Sequence, residues 1–95
     1  MWEIKFTEVY FEDGEYFRQK LSIIVEGLDG LFQAISDFAR LGIVKWKATL
    51  ISPFELTAYQ RACKKAKIPI VLERKEKITS DVAFRILYGK GGQKE

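Results

Sequence analysis

Residues 2–26 read WEIKFTEVYFEDGEYFRQKLSIIVE. Two runs rich in aromatic and β-branched residues, 2–11 and 16–26, flank Glu12-Asp13-Gly14-Glu15. Asp-Gly suits a tight turn that needs positive φ, so the segment predicts a β-hairpin. In the first run Trp2, Ile4 and Phe6 share one face, whereas Val9 and Phe11 fall on the other; that switch predicts a bulge or strong twist near Glu8. In the second run Phe17, Leu21, Ile23 and Val25 share a face, with Arg18, Lys20 and Ser22 opposite.

Outward from the hairpin, Gly27 breaks the strand. Leu31, Phe32, Ile35, Phe38 and Ala39 recur at helical spacing, with Asp29 as N-cap and Gly42 as the stop. Residues 43–51 (IVKWKATLI) alternate: Val44, Trp46, Ala48 and Leu50 one way, Lys45, Lys47 and Thr49 the other. Ser52-Pro53 opens a second helix reaching about Lys67, with an apolar stripe of Tyr59, Ala62, Cys63 and Ala66 and a basic stripe of Arg61, Lys64 and Lys65. Pro69 to about Ile78 predicts a fourth strand, parallel to its predecessor through a right-handed crossover. Residues 80–88 fit a short helix capped by Thr79-Ser80-Asp81, or an antiparallel strand; the cap chemistry and Gly89 favour the helix. Residues 89–95 read as a flexible basic and glycine-rich tail after a single domain over 1–88.

The order β-β-α-β-α-β predicts an α+β fold: a mixed four-stranded sheet with the two main helices on one face. The other face then displays Lys5 and Thr7, Arg18, Lys20 and Ser22, Lys45, Lys47 and Thr49, and Lys75 and Lys77. Lys, Arg, Ser and Thr are the side chains that contact phosphate oxygens.

The charge distribution points the same way. Residues 1–38 hold three basic and eight acidic side chains, and residues 39–95 hold thirteen and five, so a net charge of +3 conceals a strong asymmetry. At 47% hydrophobic and 14% aromatic, the 95 residues can build a core. No apolar run approaches the ~20 residues needed to cross a bilayer, and the N-terminus lacks a signal-peptide pattern, so a cytoplasmic protein is expected.

The composition argues against most catalysis. There is no histidine and a single cysteine, Cys63, which excludes a zinc cluster, an internal disulfide and a histidine-activated nucleophile. Cys63 falls on an apolar stripe and reads as a buried structural thiol. Glu73-Arg74-Lys75 has the acidic-x-Lys form of metal-dependent nucleases, but no aspartate lies between Asp37 and Asp81, and Glu55 is the only glutamate before Glu73 in that interval, so the second carboxylate of a metal site is lacking. Gly89-Lys90-Gly91-Gly92 lacks the spacing of a phosphate-binding loop. No cofactor and no enzymatic activity are expected.

Two functions remain. The first is a small nucleic-acid-binding accessory protein that contacts DNA or RNA phosphates through Lys5, Arg18, Lys20, Lys45, Lys47 and Lys75 on the sheet and Arg61, Lys64 and Lys65 on the helix. The second is a protein-interaction module, such as an inhibitor or adaptor of viral or mobile-element type, using the acidic hairpin (Glu8, Glu12, Asp13 and Glu15) or an open sheet edge. Pairing of the acidic half with the basic half of a second copy would give a homodimer. Few aromatics (Tyr16, with Tyr10) fall on the outer face, while Trp2, Phe6, Phe17, Phe32, Phe38 and Trp46 read as core, which argues against base stacking.

Overall fold

The computed structural model describes residues 1–43 and 45–88; Val44 and the tail expected over 89–95 lie outside the described residues. The hairpin forms as the sequence predicts. Strands β1 (Trp2–Glu12) and β2 (Glu15–Val25) are joined by Asp13 and Gly14, both at positive φ (50° and 78°). This is the geometry for which Asp-Gly is suited. Pairing runs without interruption from Trp2 opposite Val25 to Glu12 opposite Glu15, so the expected bulge near Glu8 is absent. Val9 and Phe11 simply continue the second face of the ribbon.

Helix α1 (Gly27–Leu41) ends at Gly42, whose φ of 77° is the left-handed stop that glycine tolerates. Its N-cap is Glu26, without a side-chain capping bond; Asp29 instead lies in the first turn, where its charge suits the positive helix end. Leu31, Ala34 and Phe38 bury against Ile4, Phe6 and Leu21, and the Phe6 and Phe38 rings are 4.7 Å apart. Each fully buried Leu, Ile or Phe contributes about 1.5–3 kcal/mol. A Cβ on Gly30 would stand 3.2 Å from Val25 Cβ, so glycine there lets helix and strand approach closely.

Strand β3 (Trp46–Leu50) pairs antiparallel with β1, Trp46 opposite Phe6 and Leu50 opposite Trp2. Pro53–Glu55 form a 3-10 turn capped by the Ser52 side chain. Leu56 interrupts it, and α2 (Ala58–Ala66) starts afresh from a capping box: Gln60 N–H donates to Thr57 Oγ1, and Thr57 N–H donates to Gln60 Oε1. The region expected to be one fourth strand divides into β4 (Ile70–Val71) and β5 (Glu76–Ile78), both antiparallel to β2. Residues 80–88 resolve in favour of helix: α3 (Ser80–Leu87) is capped by Thr79, whose Oγ1 accepts from Val82 N–H.

The architecture is α+β, with sheet order β3-β1-β2 and both β4 and β5 on the far side of β2. Two expectations need correction. Among the described residues every strand pairing is antiparallel, so the sheet is not mixed. The chain between β3 and β4, which includes α2, passes from one edge to the other and joins no parallel neighbours. Nor do the main helices share a face. While α1 covers the face of Ile4 and Phe6, Cys63 of α2 packs with Ile24, Leu56 and Ile70 on the opposite one. The physical reason is the run Ile23-Ile24-Val25, apolar on both faces, which must be covered from both sides. The apolar stripe of α2 is correspondingly narrow: Cys63 is buried, but Tyr59, Ala62 and Ala66 are exposed.

Candidate functional site

The second sheet face is covered at one end by α2 and at the hairpin end by α3, whose Phe84 ring lies 6.0 Å from Tyr16. Between them the middle of the sheet is open, and that gap is basic. Lys5 on β1 stands directly opposite Lys47 on β3, and Thr7 directly opposite Lys20 on β2. Thr7 N–H donates to the Lys45 carbonyl at 3.3 Å, which carries the β1–β3 register one pair further and sets Lys45 beside Thr7. All five residues line a groove of about 470 Å³. A smaller groove of about 260 Å³ adjoins it, sharing Thr7, Lys20 and Lys45 and adding Arg18 and Arg74.

Strand alternation brings these lysines together, since residues two apart on each strand share a face. Like charges directly opposite one another destabilise a sheet. Among the described residues no carboxylate comes within 4.0 Å of the ammonium groups of Lys5, Lys45 or Lys47, whereas Lys20 has Glu73 at 4.0 Å and Arg18 has Glu76 at 3.0 Å. Ser22 is fully buried and donates to Glu3 Oε2 at 3.1 Å, so its hydroxyl is engaged inside the protein.

The structure thus brings together Lys5, Lys20, Lys45 and Lys47, with Arg18 adjoining, and separates the remaining expected residues. Lys75 belongs to the opposite face: it pairs with Glu12 at 2.8 Å and lies 5.4 Å over the Tyr10 ring. The reason is the register with β2: Val71 stands opposite Leu21 and Lys77 opposite Phe17, so odd-numbered residues of this segment fall on the face of Ile4 and Phe6. Lys77 pairs with Glu15 at 3.2 Å. Lys64 binds Glu26 at 2.9 Å, and the hydrogen bond and charge of that ammonium hold the Glu26 carboxyl below its usual range. Arg61 and Lys65 are exposed on α2 but line neither groove.

The acidic hairpin is largely engaged within the chain. Glu12 and Glu15 pair with Lys75 and Lys77, and Asp13 forms the turn. Glu8 accepts from the Tyr10 hydroxyl at 2.9 Å. Partial burial, then that bond and the negative charge of Glu8, push the Tyr10 pKa up to about 12.

No protein-family model matches the chain, and no curated protein or solved structure matches it either. The functional reading therefore rests on the geometry.

Aromatic exposure differs from the sequence reading. Phe32 is 61% exposed and Trp46 is 39% exposed, although both had the spacing of core residues; the Trp46 ring still packs on Phe38, 6.4 Å away, on the face opposite the groove. Phe11, Phe84 and Tyr88 are also exposed. The last two stand four apart on one side of α3, a spacing legible once that segment is taken as helix.

A third cavity, about 630 Å³ and mainly apolar, lies between α1 and α2 beside Ile23, Ile24 and Val25. The register sets Pro69 opposite Ile23; proline lacks an N–H, and the β2–β4 pairing stops there. Cys63 lines this cavity as a buried free thiol. Among the described residues there is no group of three or more potential metal-ligating side chains, and no helix is long and apolar enough to cross a membrane.

Proposed function

We propose that the protein binds nucleic acid through phosphate contacts in the groove between α2 and α3. One observation carries this reading: Lys5, Lys45 and Lys47 are gathered on one sheet face without carboxylate partners among the described residues, Lys5 and Lys47 directly opposite each other. A fold gains no stability from such a juxtaposition, and a polyanion would relieve it. Thr7 adds a hydroxyl to the floor, and Arg61 and Lys65 strengthen the positive field without entering the groove. Contacts of this kind give salt-sensitive binding of low sequence selectivity.

Fluorescence anisotropy with labelled DNA and RNA tests it. Lys45→Glu with Lys47→Glu should weaken binding at least tenfold, and more than Arg61→Glu with Lys65→Glu does. Equal losses from both pairs, or none, would refute the groove.

The open β2 edge beside the 630 Å³ cavity supports a second reading, in which an extended apolar peptide adds to β2 at Ile24. Ile68→Asp, at an exposed position lining the cavity, should abolish capture of such a peptide and leave nucleic-acid binding intact; undiminished peptide capture would dismiss this reading.

A further inference from the structure

The second sheet face carries a row of aromatic rings beyond the groove. Phe11 and Tyr16 are cross-strand partners near the hairpin tip, with ring centroids 4.7 Å apart. Tyr16 meets Phe84 of α3 at 6.0 Å, and Phe84 meets Tyr88 at 6.1 Å. Three of the four rings are heavily exposed: Phe11 62%, Phe84 48% and Tyr88 70%. Contiguous apolar surface of this kind on a small protein marks a contact site.

The row and the lysines share one register. Tyr16, Arg18 and Lys20 alternate along the same face of β2, so Tyr16 and Lys20 stand about 13 Å apart along the strand at ~3.3 Å per residue. That distance is a few nucleotides of one strand, at about 3.4 Å or more each.

We infer that the ligand is single-stranded nucleic acid, its phosphates held by Lys5, Lys20, Lys45 and Lys47 and its bases stacked on the Phe11–Tyr16–Phe84–Tyr88 row. This rests on the groove reading above. Two features select a single strand over a duplex. Exposed rings offer stacking partners that only unpaired bases can use, because the faces of paired bases are already covered. A positive groove running toward an aromatic platform is also how proteins hold single strands without reading their sequence.

The test compares three labelled ligands of equal length, each at fixed salt: an oligothymidine strand, an abasic strand with the same phosphates, and a duplex. The wild-type protein should bind oligothymidine at least tenfold tighter than the abasic strand, and tighter than the duplex. Phe84→Leu with Tyr88→Leu, which preserves apolar packing against Tyr16, should remove most of that advantage and leave abasic binding unchanged. Circular dichroism of the variant confirms its fold. Equal affinity for the intact and abasic strands, or preference for the duplex, overturns the stacking inference; the groove reading then still stands if Lys5→Ala with Lys47→Ala weakens binding of every ligand. Binding insensitive to that lysine pair, or no binding of any ligand, overturns both.

Discussion

Lys5 and Lys47 face each other across the β1–β3 ladder, in register and on the same side of the sheet. Cβ atoms of directly opposite residues lie about 5 Å apart, and among the described residues neither ammonium group has a carboxylate partner. The pair burdens the fold and favours anion binding, so its removal should act oppositely on stability and on affinity.

Replacing both lysines with threonine, Lys5→Thr and Lys47→Thr, should leave stability unchanged or raise it by up to about 1 kcal/mol. Urea melts at low salt measure this. The same variant should gain much less thermal stabilisation from a single-stranded polyanion than the wild type does. A clear loss of stability would show that the lysines have a structural role.

The two-sided sheet predicts that Ile24→Ala is a core truncation, costing about 2–5 kcal/mol. Ile24 is 7% exposed against Leu56, Cys63 and Ile70. Trp46→Ala should cost less than Phe38→Ala, because Trp46 is 39% exposed whereas Phe38 is 4% exposed. Chemical denaturation of the three variants gives the order directly.

These residues also show what could be read from the chain alone. Asp13-Gly14 between two β-rich runs specified the hairpin, Gly42 the end of α1, and Thr79-Ser80-Asp81 the start of α3, because turns and caps depend on local chemistry. The face on which α2 lies was not local. It depends on Ile24 and Ile70, whose shared burial appears only once β4 is paired to β2. Among the charges, Lys5, Lys20, Lys45 and Lys47 were legible from strand alternation. Lys75 was not, since its face follows from the pairing of β4 and β5 with β2, which sets Val71 opposite Leu21 and Lys77 opposite Phe17.

Thr57→Ala removes the acceptor for Gln60 N–H at the start of α2 and should cost about 1 kcal/mol. Thr57→Ser should restore most of that, as read from thermal melts. Full stability in the alanine variant would show that tertiary contacts alone hold α2.

Tyr10 sets an alkaline limit. Its folded pKa of about 12 lies above the ordinary value near 10, so the folded state favours the protonated phenol. The resulting stability is fully present below pH 10. It declines as pH rises from about 10 to about 12, because the unfolded chain loses the proton first. Tyr10→Phe should therefore show a flatter stability profile over that interval than the wild type, measured as urea midpoint against pH. Parallel profiles would place the Tyr10 hydroxyl in water.

The most direct test of the groove is the salt dependence of single-strand binding. Four lysines, Lys5, Lys20, Lys45 and Lys47, contacting phosphates should give a slope of about −3 for log affinity against log salt, at ~0.7 per contact. Lys5→Ala with Lys47→Ala should reduce its magnitude by about 1.4. That result would identify these lysines as phosphate ligands; an unchanged slope in the variant, or no binding even at low salt, would contradict the account.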